Sequence, residues 1–279
     1  MLTSQNIDDT VAVLKASIPS HMPLLLLTAS GVQCAQLYGP TIYGTVFSPL
    51  QSQLVKLLPQ HTSTSTISSS GSTTTTTNDT NDDDEMNQNN DKERDLDVRN
   101  VGYISIPVTD YNRGNERGSE VGGGPVDSGH WSLCLLRLRY ATGGALSADA
   151  FCFDSLGDRN NEFVKPAIAS VLAGLQMYIK SLSSSSSPPQ LPSVDTVGIT
   201  PTPPNFPRQY SPTGCGLYIC AVMEVLVGRC ATTSGSGCDQ TAAINPTLDL
   251  STPVDILALV SKPFEESYRN RLFTQILRK

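Results

Sequence analysis

The chain has 279 residues, of which 38% are hydrophobic and 16% are charged, a composition typical of one globular domain with insertions. Its formal net charge of -7 is unevenly spread, because residues 78–100 hold nine acidic side chains against three basic ones. The rest of the chain is nearly neutral and has no basic patch with interleaved aromatic residues, so nucleic-acid binding is not expected.

Seven cysteines are present, without Cys-x-x-Cys spacing. An odd number in this pattern favours neither a disulfide framework nor a zinc ribbon, and reduced thiols are expected. The apolar run at residues 24–27 is far shorter than the ~20 residues of a spanning helix, and the first residues lack the order of a signal peptide. We therefore predict a protein without a membrane span, working as a monomer in the cytoplasm or nucleus.

Residues 61–100 are Ser/Thr-rich and then Asn/Asp-rich, with almost no large apolar side chain. Such a segment cannot bury enough surface to offset the entropy of ordering, so a disordered insertion is predicted there. The insertion separates residues 1–60, the N-terminal part of the domain, from a core at residues 101–279. Three loops are predicted within this core from Gly-, Ser- and Pro-rich composition, at residues 112–128, 183–193 and 231–246.

The predicted elements begin with a helix, because Ile7, Val11, Leu14 and Ile18 recur at helical spacing before Pro19. Capping signals predict a second helix at residues 48–59. Further along the chain, alternation and helical stripes predict strands at 101–108, 131–140, 150–153 and 194–199, and helices at 161–182, 215–227, 252 onward and 263–278. The strand at 131–140 is expected to be buried on both faces. The helix at 215–227 is apolar nearly all round and is expected to lie at the centre of an α+β fold.

Cys215 is the candidate nucleophile. It opens the apolar helix, where aligned backbone N–H groups favour the thiolate. The competing interpretation is a small buried residue, which is the more frequent role of a cysteine in so apolar a helix and the one expected for Cys152 and Cys220.

His130 is the candidate base, since His21 lies in a turn and His61 opens the predicted disordered segment. Asp154 follows an apolar strand, where it would either form a turn hydrogen bond or hold the imidazole in one tautomer. Gln209, six residues before Cys215, is a candidate oxyanion donor or else an ordinary polar loop residue.

The order of these residues resembles the ubiquitin-like-protein protease family, which processes and removes SUMO and the neddylation modifier. The matching segments are Gly129-His130-Trp131, Phe153-Asp154-Ser155 and the run from Pro207 to Tyr218, which contains Gln209 and Cys215-Gly216. The residue before the nucleophile is Gly214, whereas family members normally have an acidic residue there.

This resemblance implies a papain-like fold in which Cys215 attacks the carbonyl after a Gly-Gly tail, His130 transfers the proton and Asp154 orients His130. Gln209 would help to bind the oxyanion, Trp131 would cover the tail as an aromatic lid, and Gly216 would contact the substrate. Trp131 as a core residue is the alternative. No cofactor and no metal are implied. The partners implied are a ubiquitin-like modifier and its protein conjugates.

Within the family, the glycine-rich loop before Gly129 and the segment Ile106-Pro107-Val108-Thr109-Asp110 are most similar to the deneddylases. Deneddylation is therefore the expected activity. A SUMO-specific protease is the alternative within the family, and a catalytically weak module that binds a modifier is the alternative outside enzymes. Acyl transfer by the same residues is a third possibility.

Overall fold

A computed structural model describes residues 3–18, 24–38, 99–110, 129–140, 146–182, 190–204, 206–232 and 262–277. The helix predicted at 48–59, the loop at 112–128 and the helix predicted from 252 lie outside these ranges. The insertion predicted at 61–100 also lies outside them, except that Arg99 and Asn100 already belong to a strand. The loops predicted at 183–193 and 231–246 are described only at residues 190–193 and 231–232, and the latter two still belong to a helix.

The described elements form five strands and five α-helices. In chain order they are α1 Ser4–Ser17, β1 Leu24–Leu26, α2 Ala29–Tyr38, β2 Arg99–Thr109, β3 Trp131–Tyr140, β4 Leu146–Phe153, α3 Asn161–Leu182, β5 Gly198–Thr200, α4 Cys215–Thr232 and α5 Lys262–Leu277.

One predicted strand is wrong. Residues 194–199 were expected to form a strand, but Val194–Thr196 is a short 3₁₀ helix, and only Gly198–Thr200 pairs with the sheet. The physical reason is a local cap, because the Ser193 side chain accepts a hydrogen bond from the Asp195 backbone N–H and turns the chain before the strand can begin.

The strands form a single mixed sheet in the order β1-β2-β3-β4-β5. The central pairs β2–β3 and β3–β4 are antiparallel, whereas β1 and β5 join the two edges in parallel. In the register of the sheet, Thr109 lies opposite Trp131, and Leu133 lies opposite Phe153. The end of β2, the start of β3 and the end of β4 therefore lie at the same end of the sheet.

Helices cover both faces of this sheet. Side chains alternate along β3, so that Trp131, Leu133 and Leu135 belong to one hydrophobic cluster and Cys134, Leu136 and Leu138 to the other. The first cluster includes side chains of α1, α4 and α5, and the second includes those of α2 and α3. The prediction that this strand is buried on both faces is thus confirmed over residues 131–136.

The α4 helix is the central helix of the first cluster. It contacts β3 on one side and both α1 and α5 on the other. Its residues from Cys215 to Met223 are all buried, in agreement with the apolar pattern of its sequence. Its first residue, Cys215, lies in the same cluster as Trp131, the first residue of β3.

None of the helices in the described part of the chain combines the length and the apolar character that a membrane-crossing segment requires.

Candidate active site

His130 and Asp154 meet at the shared end of the sheet. His130 directly precedes β3 and Asp154 directly follows β4, and the antiparallel pairing of these strands brings them together. The His130 Nε2 atom lies 2.6 Å from Asp154 Oδ1, and both side chains are almost fully buried. Since Nε2 faces the carboxylate, Nδ1 is the ring nitrogen left for any other partner.

The Asp154 carboxylate is held by backbone donors as well as by the imidazole. Its Oδ1 accepts a hydrogen bond from the N–H of Leu156 at 2.8 Å, and its Oδ2 accepts one from the N–H of Asn160 at 3.1 Å. The Asp154 N–H in turn donates to Thr202 Oγ1 at 3.1 Å. These bonds leave the carboxylate a single orientation, which points at the histidine.

The backbone of His130 is fixed by two buried polar side chains that the sequence interpretation did not single out. Asp110, at the end of β2, accepts the His130 N–H at 2.5 Å and also pairs with Arg159 at 2.9 Å. Asn160 Nδ2 contacts the carbonyl oxygens of His130 and Val108 at 3.0 and 3.3 Å. The strand-end position of Asp110, next to His130 in an antiparallel pair, was the signal that could have identified it.

Cys215 is the described cysteine that contacts this histidine. It is the first residue of α4 and is 2% exposed, and its thiol lies close enough to the His130 imidazole to contribute to the raised pKa of that group. Cys34 lies on α2, and Cys134 and Cys152 face each other across β3 and β4. Cys220 lies inside α4, where burial raises the pKa of its thiol to about 12. The structure therefore places Cys215, His130 and Asp154 in one chain of contacts.

The protonation of His130 is set by opposing effects. Burial alone lowers the pKa of its imidazole, because a buried cation is poorly solvated. Hydrogen bonds to Asp154 and to Cys215, and the charges of these two partners, outweigh the burial and raise the pKa to about 9. The surroundings therefore stabilise an imidazolium between a carboxylate and a thiol.

Gln209 lies on the segment that leads to Cys215. Its Oε1 accepts from Ser155 Oγ at 2.7 Å, and its Nε2 donates to the Ser211 carbonyl at 2.9 Å. If the oxygen and nitrogen of the Gln209 amide were exchanged, two acceptor oxygens would face each other at Ser211. These two bonds therefore define the orientation of the amide. An amide nitrogen carries two hydrogens, and the bond to Ser211 uses one of them. The Gln209 N–H also donates to the Ser155 carbonyl at 3.1 Å, which ties this segment to the loop that follows Asp154.

A second tie between these two segments involves Gly157. Its N–H donates to the Asp154 carbonyl at 3.0 Å, and its φ of 93° lies in the region that favours glycine. The guanidinium of Arg208 lies directly against this glycine, where any Cβ would overlap with it. The absence of a side chain at Gly157 thus allows the two segments to pack together.

Trp131 and Gly216 have different positions in the site. Trp131 is 5% exposed within the hydrophobic cluster that includes Cys215, and its role as a lid stays a prediction. Gly216 is buried in the first turn of α4. Backbone N–H groups in a first helical turn have no partner within the helix, and those of Cys215 and Gly216 belong to this first turn.

Within the described residues, no group of three or more histidine, cysteine or acidic side chains has an arrangement that could hold a metal ion.

Comparison with known families identifies a match. The family model described as "Ulp1 protease family, C-terminal catalytic domain" matches residues 50–241, which is more than half of the chain. The matched segment contains His130, Asp154, Gln209 and Cys215, and it ends before α5. A search of curated proteins finds no match.

Proposed function

Because this chain belongs to the Ulp1 protease family, whose members are cysteine peptidases acting on ubiquitin-like proteins, we propose that Cys215, His130 and Asp154 are its catalytic triad. The fold is the papain-like α+β arrangement of that family. The observation that carries the proposal is the chain of contacts from the Asp154 carboxylate through the His130 imidazole to the Cys215 thiol.

The first step of the proposed reaction is proton transfer from the Cys215 thiol to His130 Nδ1. The raised pKa of His130 favours the resulting imidazolium, and the start of α4 favours the thiolate. Asp154 keeps Nε2 protonated and hydrogen-bonded, so that Nδ1 is the basic nitrogen.

The thiolate then attacks the carbonyl carbon of the terminal glycine, and the carbonyl oxygen becomes an oxyanion. The second hydrogen of Gln209 Nε2 and the N–H groups at the start of α4 supply donors for this oxyanion, each worth about 3 kcal/mol in comparable sites. The imidazolium protonates the departing amine as the C–N bond breaks. Water, deprotonated by His130, hydrolyses the thioester and releases the modifier with a free carboxylate.

The neddylation modifier is the proposed substrate, and its protein conjugates are the proposed partners. The support is the similarity of residues 106–110 and of the glycine-rich loop before Gly129 to the deneddylases. In this interpretation Trp131 lies over the tail, because glycines without side chains pass through a slot that other residues cannot enter.

Electrophile probes built on the C-terminus of each modifier test both the triad and the modifier. We expect the wild-type chain to form a covalent adduct fastest with the neddylation-modifier probe and more slowly with SUMO or ubiquitin probes, as measured by intact-protein mass spectrometry. Cys215→Ala should abolish the adduct. Cys34→Ala is the matched control, since Cys34 is an exposed thiol on α2, and it should leave the rate unchanged.

The other outcomes identify the alternatives. Fastest capture of the SUMO probe would assign the chain to the SUMO-specific proteases. Tight binding of a modifier without capture would indicate a binding module. Capture that persists in Cys215→Ala would overturn the proposed nucleophile.

A further inference from the structure

Glu265 is a buried carboxyl group outside the segment that matches the family. It lies in the first turn of α5 and is 3% exposed. A carboxyl group is rarely buried to this degree unless hydrogen bonds compensate for the water it has lost. The partners of Glu265 therefore indicate what it does.

Those partners are backbone groups of the segment that carries Gln209 to Cys215. Glu265 Oε1 accepts the N–H of Tyr210 at 2.6 Å and the N–H of Ser211 at 3.3 Å. Hydrogen bonds to a carboxylate are about twice as strong as those between neutral groups. The bond to Tyr210 is short, and Tyr210 directly follows Gln209 in the chain.

The same carboxyl group also lies against the residue that precedes the nucleophile. A Cβ placed on Gly214 would be 3.0 Å from Glu265 Oε1 and 3.2 Å from its Cδ, so the glycine leaves the room that the carboxyl group occupies. Gly214 is also where α4 begins, because its carbonyl accepts the N–H groups of Leu217 and Tyr218 at 2.8 and 3.3 Å.

Tyr218 completes the support on the opposite side of Gln209. Its hydroxyl donates to the Arg208 carbonyl at 2.9 Å, whereas Glu265 binds the residues that follow Gln209. Burial and the neighbouring Glu265 carboxyl group raise the pKa of the Tyr218 phenol, so it remains a proton donor. Gln209 is thus held between one side chain of α4 and one of α5.

We infer that Glu265 is a positioning residue of the active site, which fixes Gln209 and the start of α4 through Tyr210, Ser211 and Gly214. It acts on the oxyanion donors and has no contact of its own with substrate. The inference rests on the proposed role of Cys215 as nucleophile, and it makes α5 a functional part of the catalytic unit.

Two substitutions at Glu265, with a control one residue away, test this role in the full chain. Glu265→Ala should lower kcat by about tenfold to a hundredfold with KM nearly unchanged, because misplaced donors weaken the transition state more than the bound substrate. Glu265→Gln keeps an acceptor oxygen and should recover most of kcat. Glu266→Ala removes an exposed carboxylate from the same helix and should match wild type.

Gly214→Ala provides an independent route to the same contact and remains informative if Glu265→Ala fails to fold. Its methyl group would lie 3.0 Å from Glu265 Oε1 and 3.1 Å from Ser211 Oγ, so it should push the carboxyl group and the Ser211 side chain apart and lower kcat at constant KM. Hydrogen exchange of the amides of Tyr210 and Ser211 is the second readout. It should accelerate in Glu265→Ala and Gly214→Ala but not in Glu266→Ala.

Failure of the proposed function and failure of the inference about Glu265 give different results. A wild-type chain that cleaves no modifier would refute the proposed function, and amide exchange would still decide the role of Glu265. Wild-type kcat or unchanged amide exchange in a folded Glu265→Ala protein would overturn the inference alone. A loss confined to KM, or an equal loss in Glu266→Ala, would do the same.

Discussion

The two halves of the site are held in different ways. His130 and Asp154 lie at strand ends, and their supports Asp110 and Asn160 come from the same end of the sheet or from the chain just after it. Gln209 and Cys215 lie on an irregular segment and at a helix start, where side chains of distant elements such as Glu265 hold them. The ladder of the sheet fixes the first half directly, whereas the second half depends on packing between helices.

This difference predicts where the site tolerates change. Strand pairing positions the histidine and aspartate through many cooperative backbone hydrogen bonds, so single supporting side chains there act mainly on stability. The segment from Gln209 to Cys215 has few such bonds, so a single supporting side chain there acts on catalysis. Substitutions at three further positions test the strand-end half and the junction between the halves.

Asp154→Ala should have the largest effect, a loss of kcat/KM of roughly 10²-fold, because His130 loses its orienting partner. Asp154→Asn keeps a hydrogen-bond acceptor but removes the charge, so its loss of rate should be smaller. Both changes remove the negative charge of Asp154, which is one of the causes that raise the pKa of His130 to about 9.

The pH profile checks the sign of this effect. In the proposed reaction the imidazolium protonates the leaving amine, and in the wild type it should persist until the pH rises through about 9. In both Asp154 variants its pKa should fall, so the alkaline limb of kcat/KM should move to lower pH. An alkaline limb that stays in place would show that Asp154 does not set the protonation of His130.

Asn160→Ala should have the second-largest effect, which should be a loss of protein stability. Its side-chain amide contacts the His130 and Val108 carbonyls and the Ser132 hydroxyl in the buried strand ends. Removing this amide takes a partner from the buried Val108 carbonyl and Ser132 hydroxyl, while the His130 carbonyl keeps the Asp110 N–H at 3.4 Å. The loss should cost about 2–3 kcal/mol of unfolding free energy, measured by urea denaturation. Asn161→Ala, at the neighbouring exposed position, is the control and should change stability by less than about 0.5 kcal/mol. Equal effects of the two substitutions would refute the role of Asn160.

Gly157→Ala should have the smallest effect, a modest loss of unfolding free energy. It tests the junction between the two halves of the site. The new methyl group must adopt a positive φ and displace the Arg208 guanidinium, at a cost of about 1–2 kcal/mol. Gly228→Ala places a methyl group in open space on α4 and should be neutral or slightly stabilising. A Gly157→Ala protein as stable as wild type would mean that Arg208 moves away freely.

The strand-end half was the more predictable one. Alternation in residues 131–140 and an apolar run before Asp154 imply an antiparallel pair, and that pair places His130 beside Asp154. Two predicted helices were likewise confirmed, the one at 161–182 and the one that begins at Cys215. A long helical repeat of apolar residues can be recognised from the local sequence alone. The roles of the site residues stay predictions.

Other features depend on contacts that no local pattern reveals. The strand Leu24–Leu26 has only three residues, too few to show alternation, and it pairs in parallel with residues 103–105 much later in the chain. The α2 helix that follows it was also missed. Glu265 is an acidic residue in a polar helix, and its role depends on the tertiary packing of α5 against α4.

In our proposal, the position of α5 also sets when the chain can become active during its synthesis. Among the described residues, the carboxyl group that supports the Gln209 segment comes from α5, at residues 262–277, which is translated after every other described element. A nascent chain already contains Cys215, His130 and Asp154 while that support is still inside the ribosome. We expect such a chain to react poorly with modifiers, a delay that would protect the conjugates near the ribosome from an unfinished protease.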